Sequence, residues 1–378
     1  MRIPSFIYLL LFFLLVMNLQ GQNKLVFKGQ VSGFSNYSPG YHHNILVGGR
    51  YIPELDYTIP IDSVKKIDFE VSANLYGTAS FFPSDSAQYN ANLTPYRMWA
   101  RYSGKQFELR AGLQKIDFGS ATLLRPMQWF NQIDPRDPLR LTNGVYGVLG
   151  RYYFLNNANV WLWALYRNEK PRGFDVIETN KKFPEYGGRV QYPVRKGEIA
   201  VSYHHRTANA QIFLPTPDLA QIPENRFGLD GKWDLGVGLW FEATHTIKHK
   251  SIGALTNQSL FNLGTDYTFG IGNGLNIVVE HLLMSYDEKP LAFQNPTNIT
   301  ATTFSYPLGL FDNLSLIFYH NWTAKNSAVF VNYAHQFKKM TGYIMPYYNP
   351  KVQQGIQQNQ LLNTTSGPGI RLMLVYNH

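Results

Sequence analysis

The sequence predicts an all-β fold, a transmembrane antiparallel β-barrel of about 16–18 strands. Three observations predict it. The first is alternation. In Phe107-Glu108-Leu109-Arg110-Ala111-Gly112-Leu113-Gln114, Phe107, Leu109, Ala111 and Leu113 share one face, and Glu108, Arg110, Gly112 and Gln114 share the other. Similar segments recur nearly from end to end. The second is an export-type N-terminus. Arg2 precedes an unbroken apolar run over 7–17, and Gly21-Gln22 offers a cleavage point with Leu19 at the −3 position. That run is short of the roughly 20 residues a spanning helix needs, so 1–21 is expected to be a cleavable signal peptide. The third is composition. Charged residues make up 16%, against about 25% in soluble domains. Aromatic residues reach 15%, with 25 Tyr and 25 Phe, as the two interfacial girdles of a barrel require.

The same data exclude other classes. No long apolar stretch follows the signal, which argues against a helical membrane protein. The chain has no cysteine, so disulfides, thiolate metal sites and a cysteine-linked lipid anchor are all excluded. No fixed repeat and no linker divides 22–378, which is read as a single barrel domain. The net charge of +9 suits anionic partners. No nucleic-acid motif accompanies it, and nucleic acid is not expected as a partner.

Strands are expected at 25–34, at 44–57 with an interruption at Pro53, and at 68–81, 96–102 and 106–116. They continue at 145–154, 160–166, 186–192 and 198–206. A tight hairpin about Asp234 joins 226–233 to 235–246. Asn273-Gly274 marks the turn between 260–269 and 275–284, since both residues tolerate positive φ. Further strands are expected at 302–310, 314–320, 328–335, 342–348 and 370–376, giving about eighteen in all. Long polar stretches at 83–93, 168–184, 207–224 and 350–367 alternate with short turns, as in barrels with short periplasmic turns and long external loops. The last strand places Ile370, Leu372, Leu374 and Tyr376 on one face. It resembles the C-terminal signal read by the outer-membrane barrel assembly machinery, although Asn377 and His378 follow the aromatic residue.

Parity then sorts the charges. Arg97 and Arg101 oppose Met98 and Tyr102; Glu108, Arg110 and Gln114 oppose Leu109. Arg189, Arg206, Arg226 and Arg371 likewise fall opposite apolar neighbours. A basic side chain facing lipid at the bilayer midplane costs roughly 2–4 kcal/mol, so these positions are assigned to a wet lumen. The segment 117–144 is far longer than a typical loop of about 4–6 residues. It holds Trp129 and Phe130 together with Arg125, Asp134, Arg136, Asp137 and Arg140, and is expected either to fold inward as a constriction or to form an external loop.

The stretch Arg110-Ala111-Gly112-Leu113-Gln114-Lys115-Ile116-Asp117-Phe118-Gly119, followed by Asp134-Pro135, resembles porin-like barrels of the alginate-export type. Those carry an Arg-x-Gly-x-Gln strand, a Trp-Gly pair and a later Asn-Pro or Asp-Pro. Phe118-Gly119 stands here in place of Trp-Gly. The resemblance covers a small part of the chain and implies an arginine-rich conduit for small or polymeric anions, with Arg110 and Gln114 as the matched positions. The Gln20-Gly21-Gln22 signal end and the Tyr- and Asn-rich barrel also resemble outer-membrane proteins of Bacteroidetes.

No catalytic or nucleotide-binding motif is present. His245 and His249 share a strand face but stand about 13 Å apart, too far for joint ligation. Neither a metal, a cofactor nor enzymatic activity is expected. The expected function is passive passage of small, anionic solutes through an Arg-rich lumen in the outer membrane. The alternative is a plugged surface barrel that binds polysaccharide or assists its export, with Phe183, Tyr186, Phe213, Tyr347 and Tyr348 stacking on sugar. The expected partners are outer-membrane lipid, an anionic solute or polysaccharide, and the assembly machinery. Oligomeric state is left open.

Overall fold

The computed structural model describes residues 24–39, 45–81, 87–211, 217–350 and 367–378. The expected signal peptide and Phe213 lie outside these residues.

The strands are β1 (Lys24–Tyr37), β2 (Ile45–Pro60), β3 (Lys66–Phe81), β4 (Gln88–Ser103), β5 (Phe107–Gln114), β6 (Val145–Tyr153) and β7 (Asn159–Leu165). Then come β8 (Glu178–Thr179), β9 (Glu185–Val194), β10 (Gly197–Asn209), β11 (Ile222–Asp234), β12 (Gly238–Lys248) and β13 (Asn257–Phe269). The chain finishes with β14 (Leu275–Asp287), β15 (Thr297–Pro307), β16 (Asp312–Asn321), β17 (Asn326–Gln336), β18 (Met340–Asn349) and β19 (Gly367–Asn377). Each wall strand runs antiparallel to the next, and β19 pairs back onto β1, closing a barrel of 18 strands. The two-residue β8 pairs with β10 alone, beyond the end of β9, while β7 pairs directly with β9, so the closed wall counts 18 strands. Closure is completed by reciprocal bonds between Gly29 and His378, each backbone N donating to the other's carbonyl at 3.0 Å. With no free edge, the backbone polar groups of the wall are satisfied within the sheet, which a strand wall in lipid requires.

The alternation places apolar residues outward all round. Leu109, Val201, Leu229, Leu263, Leu372 and Leu374 are exposed, while their neighbours Arg206, Arg226 and Arg371 are buried. Lys24, the first described residue, and His378 lie toward one rim, with the short turns. The segments 166–184 and 115–144 leave from the other rim.

Four sequence expectations need correction. The fourth strand begins at Gln88 rather than 96, so 88–93 is strand and not loop. The cause is a bulge: the β3–β4 register shifts between Ser72 and Ala73, which leaves Tyr96 unpaired and reverses the parity. Tyr89 and Leu93 face outward before it, Met98 and Tyr102 after it, so a strict period of two broke there. Pro53 does not interrupt β2. It stays in register opposite Gly29 of β1, and pairing lapses only toward β3, between Tyr51 and Glu54. The hairpin expected about Asp234 is centred two residues later, over 235–237, where Gly236 takes φ +91°. Tyr347 is a buried wall residue bonded to Asn36 at 3.0 Å, not a sugar-facing loop residue.

Candidate functional site: the lumen and its inserted segment

The connection 115–144 leaves β5 and does not stay outside. Ile116, Phe118, Met127, Trp129 and Phe130 pack with Leu149 of β6 and Trp163 of β7. Leu123 and Leu124 join a cluster with Leu260, Leu282, Ile299, Ile317 and Phe330, drawn from β13 to β17. Leu139 packs against Phe34, Met345 and Met373 on β1, β18 and β19. On the way back, Thr142 accepts from the Arg97 guanidinium of β4, its carbonyl at 3.0 Å and its hydroxyl closer still. A segment that touches β4, β7, β14, β17 and β19 of one closed barrel lies inside it.

Two carboxylates hold it there, both fully buried. Glu280, midway along β14, accepts the backbone amides of Thr122 (2.6 Å), Leu123 (3.1 Å) and Leu124 (2.6 Å). Trp240 and Asn262 donate to the same carboxylate. Glu242 of β12 accepts from Ala121 at 2.7 Å and Met127 at 3.0 Å. An anion receiving several backbone N–H groups substitutes for the water those amides lose. Parity assigns Glu242 to the inner face; Glu280 was missed, although the alternation of β14 could have placed it there too.

Within the segment, Arg125 pairs with Asp117 at 2.7 Å and Lys115 adds a contact at 3.0 Å. Burial pushes the Asp117 carboxyl up, but these two cations outweigh it and hold it below the usual carboxylate range. Arg136 and Asp134 pair side by side, and the Arg136 guanidinium lies 5.0 Å from the Phe330 ring. Asp137 caps the Leu139 amide at 3.0 Å. Arg140 is exposed, in the left-handed region with φ +45°.

The segment 166–184 is anchored under the same rim by a buried ion-pair group. Arg206 contacts Glu224 at 2.6 Å and Asp175 at 3.0 Å; Arg226 reaches Asp175 at 2.6 Å and Glu224 at 2.7 Å. Nearby, Arg189 grips Asp230 with two bonds, at 2.5 and 2.8 Å. These arginines face inward as parity predicts, and the structure ties them to acids. Arg371 is buried with its guanidinium 5.3 Å from the Phe34 ring. Gln114 donates to the carbonyls of Arg110 (3.2 Å) and Gly147 (3.0 Å), stitching β5 to β6.

The wall over β3 to β6 differs. Arg101, Glu108, Arg110 and Arg151 are only partly covered there. Glu108 meets Arg110 at 2.9 Å, Arg151 at 3.7 Å and Arg101 at 3.9 Å. Asp68 serves Arg101 at 2.8 Å and Lys66 at 3.2 Å. Four cations therefore share two acids. Arg101 and Arg110 lie against the Trp99 ring, and Arg151 stacks 3.8 Å from the centre of Trp161. Arg151 was not singled out from the sequence, although its strand neighbours Tyr152 and Gly150 give the parity. Beside these charges, carboxylate oxygens of Glu54 and Asp56 on β2 and Glu70 on β3 lie within 4.8 Å of one another. Lys28 already supplies a cation there, at 2.9 Å from Glu54 and 2.8 Å from Asp56.

The barrel is similar to OccK5 (OpdH) of Pseudomonas aeruginosa, with a TM-score of 0.56 and 11% identity over 94% of this chain and 98% of that one. It is similar to OccAB4 of Acinetobacter baumannii, with a TM-score of 0.54 and 10% identity over 96% and 99%. An anion-selective porin from Comamonas acidovorans gives a TM-score of 0.51 and 11% identity over 94% and 100%. At such identities the likeness establishes the fold, that of bacterial outer-membrane porins. No protein-family model matches the chain, and no curated protein matches it.

Proposed function

We propose that this protein is a passive outer-membrane channel for small anionic solutes, with the turn rim facing the periplasm and the loop rim facing outward. The observation that carries the reading is the group on β3 to β6, where Lys66, Arg97, Arg101, Arg110 and Arg151 outnumber Asp68, Glu70 and Glu108. A cationic excess beside a low-dielectric wall concentrates anions and repels cations. The inserted segment narrows the space beside that group and so limits solute size. The porin fold supports a channel; the exposed outward face of β19 supports delivery by the barrel assembly machinery. The test is conductance of the refolded chain 22–378 in a planar bilayer under a salt gradient. The expected result is a reversal potential displaced toward anions, which shrinks in R101Q/R110Q/R151Q. A neutral or cation-selective pore would refute the reading.

The reach of the inserted segment across the lumen favours a second reading, a plugged surface barrel that binds polysaccharide. A folded but silent barrel that is retained on an acidic glycan column would establish that one instead.

A further inference from the structure

A small cavity lies inside the wall near the loop rim, where the 166–184 connection folds over β12 to β14. Phe174 and Asp175 of the connection line one side, and Thr246, Lys248, Gln258 and Tyr286 line the other. It has room for one water-sized body, about 10 Å³ for the position of its centre. The channel reading makes no use of it.

The charges around the cavity do not balance. Arg206 and Arg226 both grip Asp175 and Glu224, two cations against two carboxylates. Lys248 is a third cation. It is 9% exposed, and its ammonium reaches a Glu224 oxygen only at 3.5 Å, beyond an ordinary hydrogen bond. The neighbouring charges are matched elsewhere. Arg172 pairs with Glu185, and Arg189 with Asp230. Asp287 lies on the other strand face from Tyr286 and accepts from Ser285 and from the amides of Phe293 and Gln294. Glu178 lies on the other face of β8 from Thr179, which meets Arg206. One positive charge is therefore in surplus inside the wall, and a buried charge is costly unless it is matched.

The hydrogen-bonding capacity left over is of the donor kind. Both Nε2 hydrogens of Gln258 are spent, on the Phe174 carbonyl at 3.0 Å and the Tyr286 hydroxyl at 2.9 Å. The Tyr286 proton reaches that same carbonyl only at 3.5 Å. The Thr246 hydroxyl, 4% exposed, makes no side-chain bond among the described residues. The acceptors are taken. Glu224 receives three guanidinium N–H groups, and Asp175 receives two.

We propose that this cavity binds one small monovalent anion, a halide such as chloride, held by the Lys248 ammonium with the Thr246 and Tyr286 hydroxyls. A single negative charge balances the group, and the space suits a monatomic ion rather than a carboxylate or a phosphate. The ion joins the 166–184 connection to β12 and β14, beside the Arg206 anchor. It is a resident ion, and its binding does not depend on conduction.

Two measurements on the full mature chain in detergent test this, with heat-modifiable migration on a gel confirming a folded barrel each time. Hydrogen exchange at 174–179 is compared in sodium chloride and in sodium gluconate of equal ionic strength, since gluconate is too large for the cavity. Exchange in the parent is expected to slow roughly tenfold in chloride at about ten times its Kd. Lys248→Met removes the surplus charge and is expected to be protected alike in both salts, as the parent is in chloride. Thr246→Val keeps the charge and is expected to need several-fold more chloride. Crystals grown in sodium bromide are expected to show an anomalous peak against Lys248 Nζ. Exchange that ignores chloride in the parent would overturn the proposal, as would an unchanged chloride response in Lys248→Met. So would a loss of protection in both salts for that variant, which would make Lys248 a structural partner of Glu224, or a water in place of bromide.

Discussion

Glu280 and Leu124 are 156 residues apart in sequence, yet the Glu280 carboxylate accepts the Leu124 amide at 2.6 Å. With Thr122 and Leu123 on the same group, one wall side chain caps three consecutive amides of the inserted segment. Each buried amide left without an acceptor costs about 1–3 kcal/mol. Glu280→Ala is therefore expected to release 121–127 from the wall while the barrel stays closed by its strand ladder. Chymotrypsin should then cut after Leu124, which the parent buries, and bilayer conductance should rise. Equal protease resistance in parent and variant would show that apolar packing alone holds the segment.

A second expectation concerns the anchor under the loop rim. Arg206 is 1% exposed and contacts Glu224 and Asp175, with Thr179 of β8 accepting at 2.8 Å. Removing one partner of a buried pair typically costs about 3–5 kcal/mol, because the remaining charge is stranded. Arg206→Ala should free β8 from β10. Hydrogen exchange at Ile177 and Thr179 should accelerate while the ladder between β10 and β11 stays protected. Arg206→Lys should rescue poorly, since an ammonium does not reproduce the guanidinium fork. Full rescue by Lys would show that charge alone suffices.

The wall was legible because its physics is local. An apolar outer face and a charged inner face impose a period of two, which sorted Arg97, Arg189, Arg206 and Arg226 to the inner face. The same rule failed where a bulge reversed parity near Tyr96. It also failed to show that the inner face is apolar at Leu260, Leu282, Ile299 and Ile317, since there the lumen side meets a packed protein segment and not water. Parity tells which way a side chain points, not what it meets. The contacts of Glu280 with Leu124 and of Glu242 with Met127 join distant parts of the chain, and nothing in the local pattern encodes them.

Gly119 provides the most local test of the inserted path. It takes φ +96°, a region that side chains with a Cβ rarely adopt. A Cβ there would meet Glu242 Oε1 at 2.3 Å and Met127 Cβ at 2.9 Å. Both neighbours belong to the anchor, since Glu242 caps Ala121 and Met127. Gly119→Val adds a β-branched side chain where neither the dihedral nor the space permits one, so the turn must move away from β12. The expected result is a closed barrel with normal heat-modifiable migration and with chymotrypsin cleavage after Leu124, as in Glu280→Ala. Combining the two substitutions should add little, because both release the same stretch. Additive loss of protection would instead show that Glu242 and Glu280 hold separate parts of the segment.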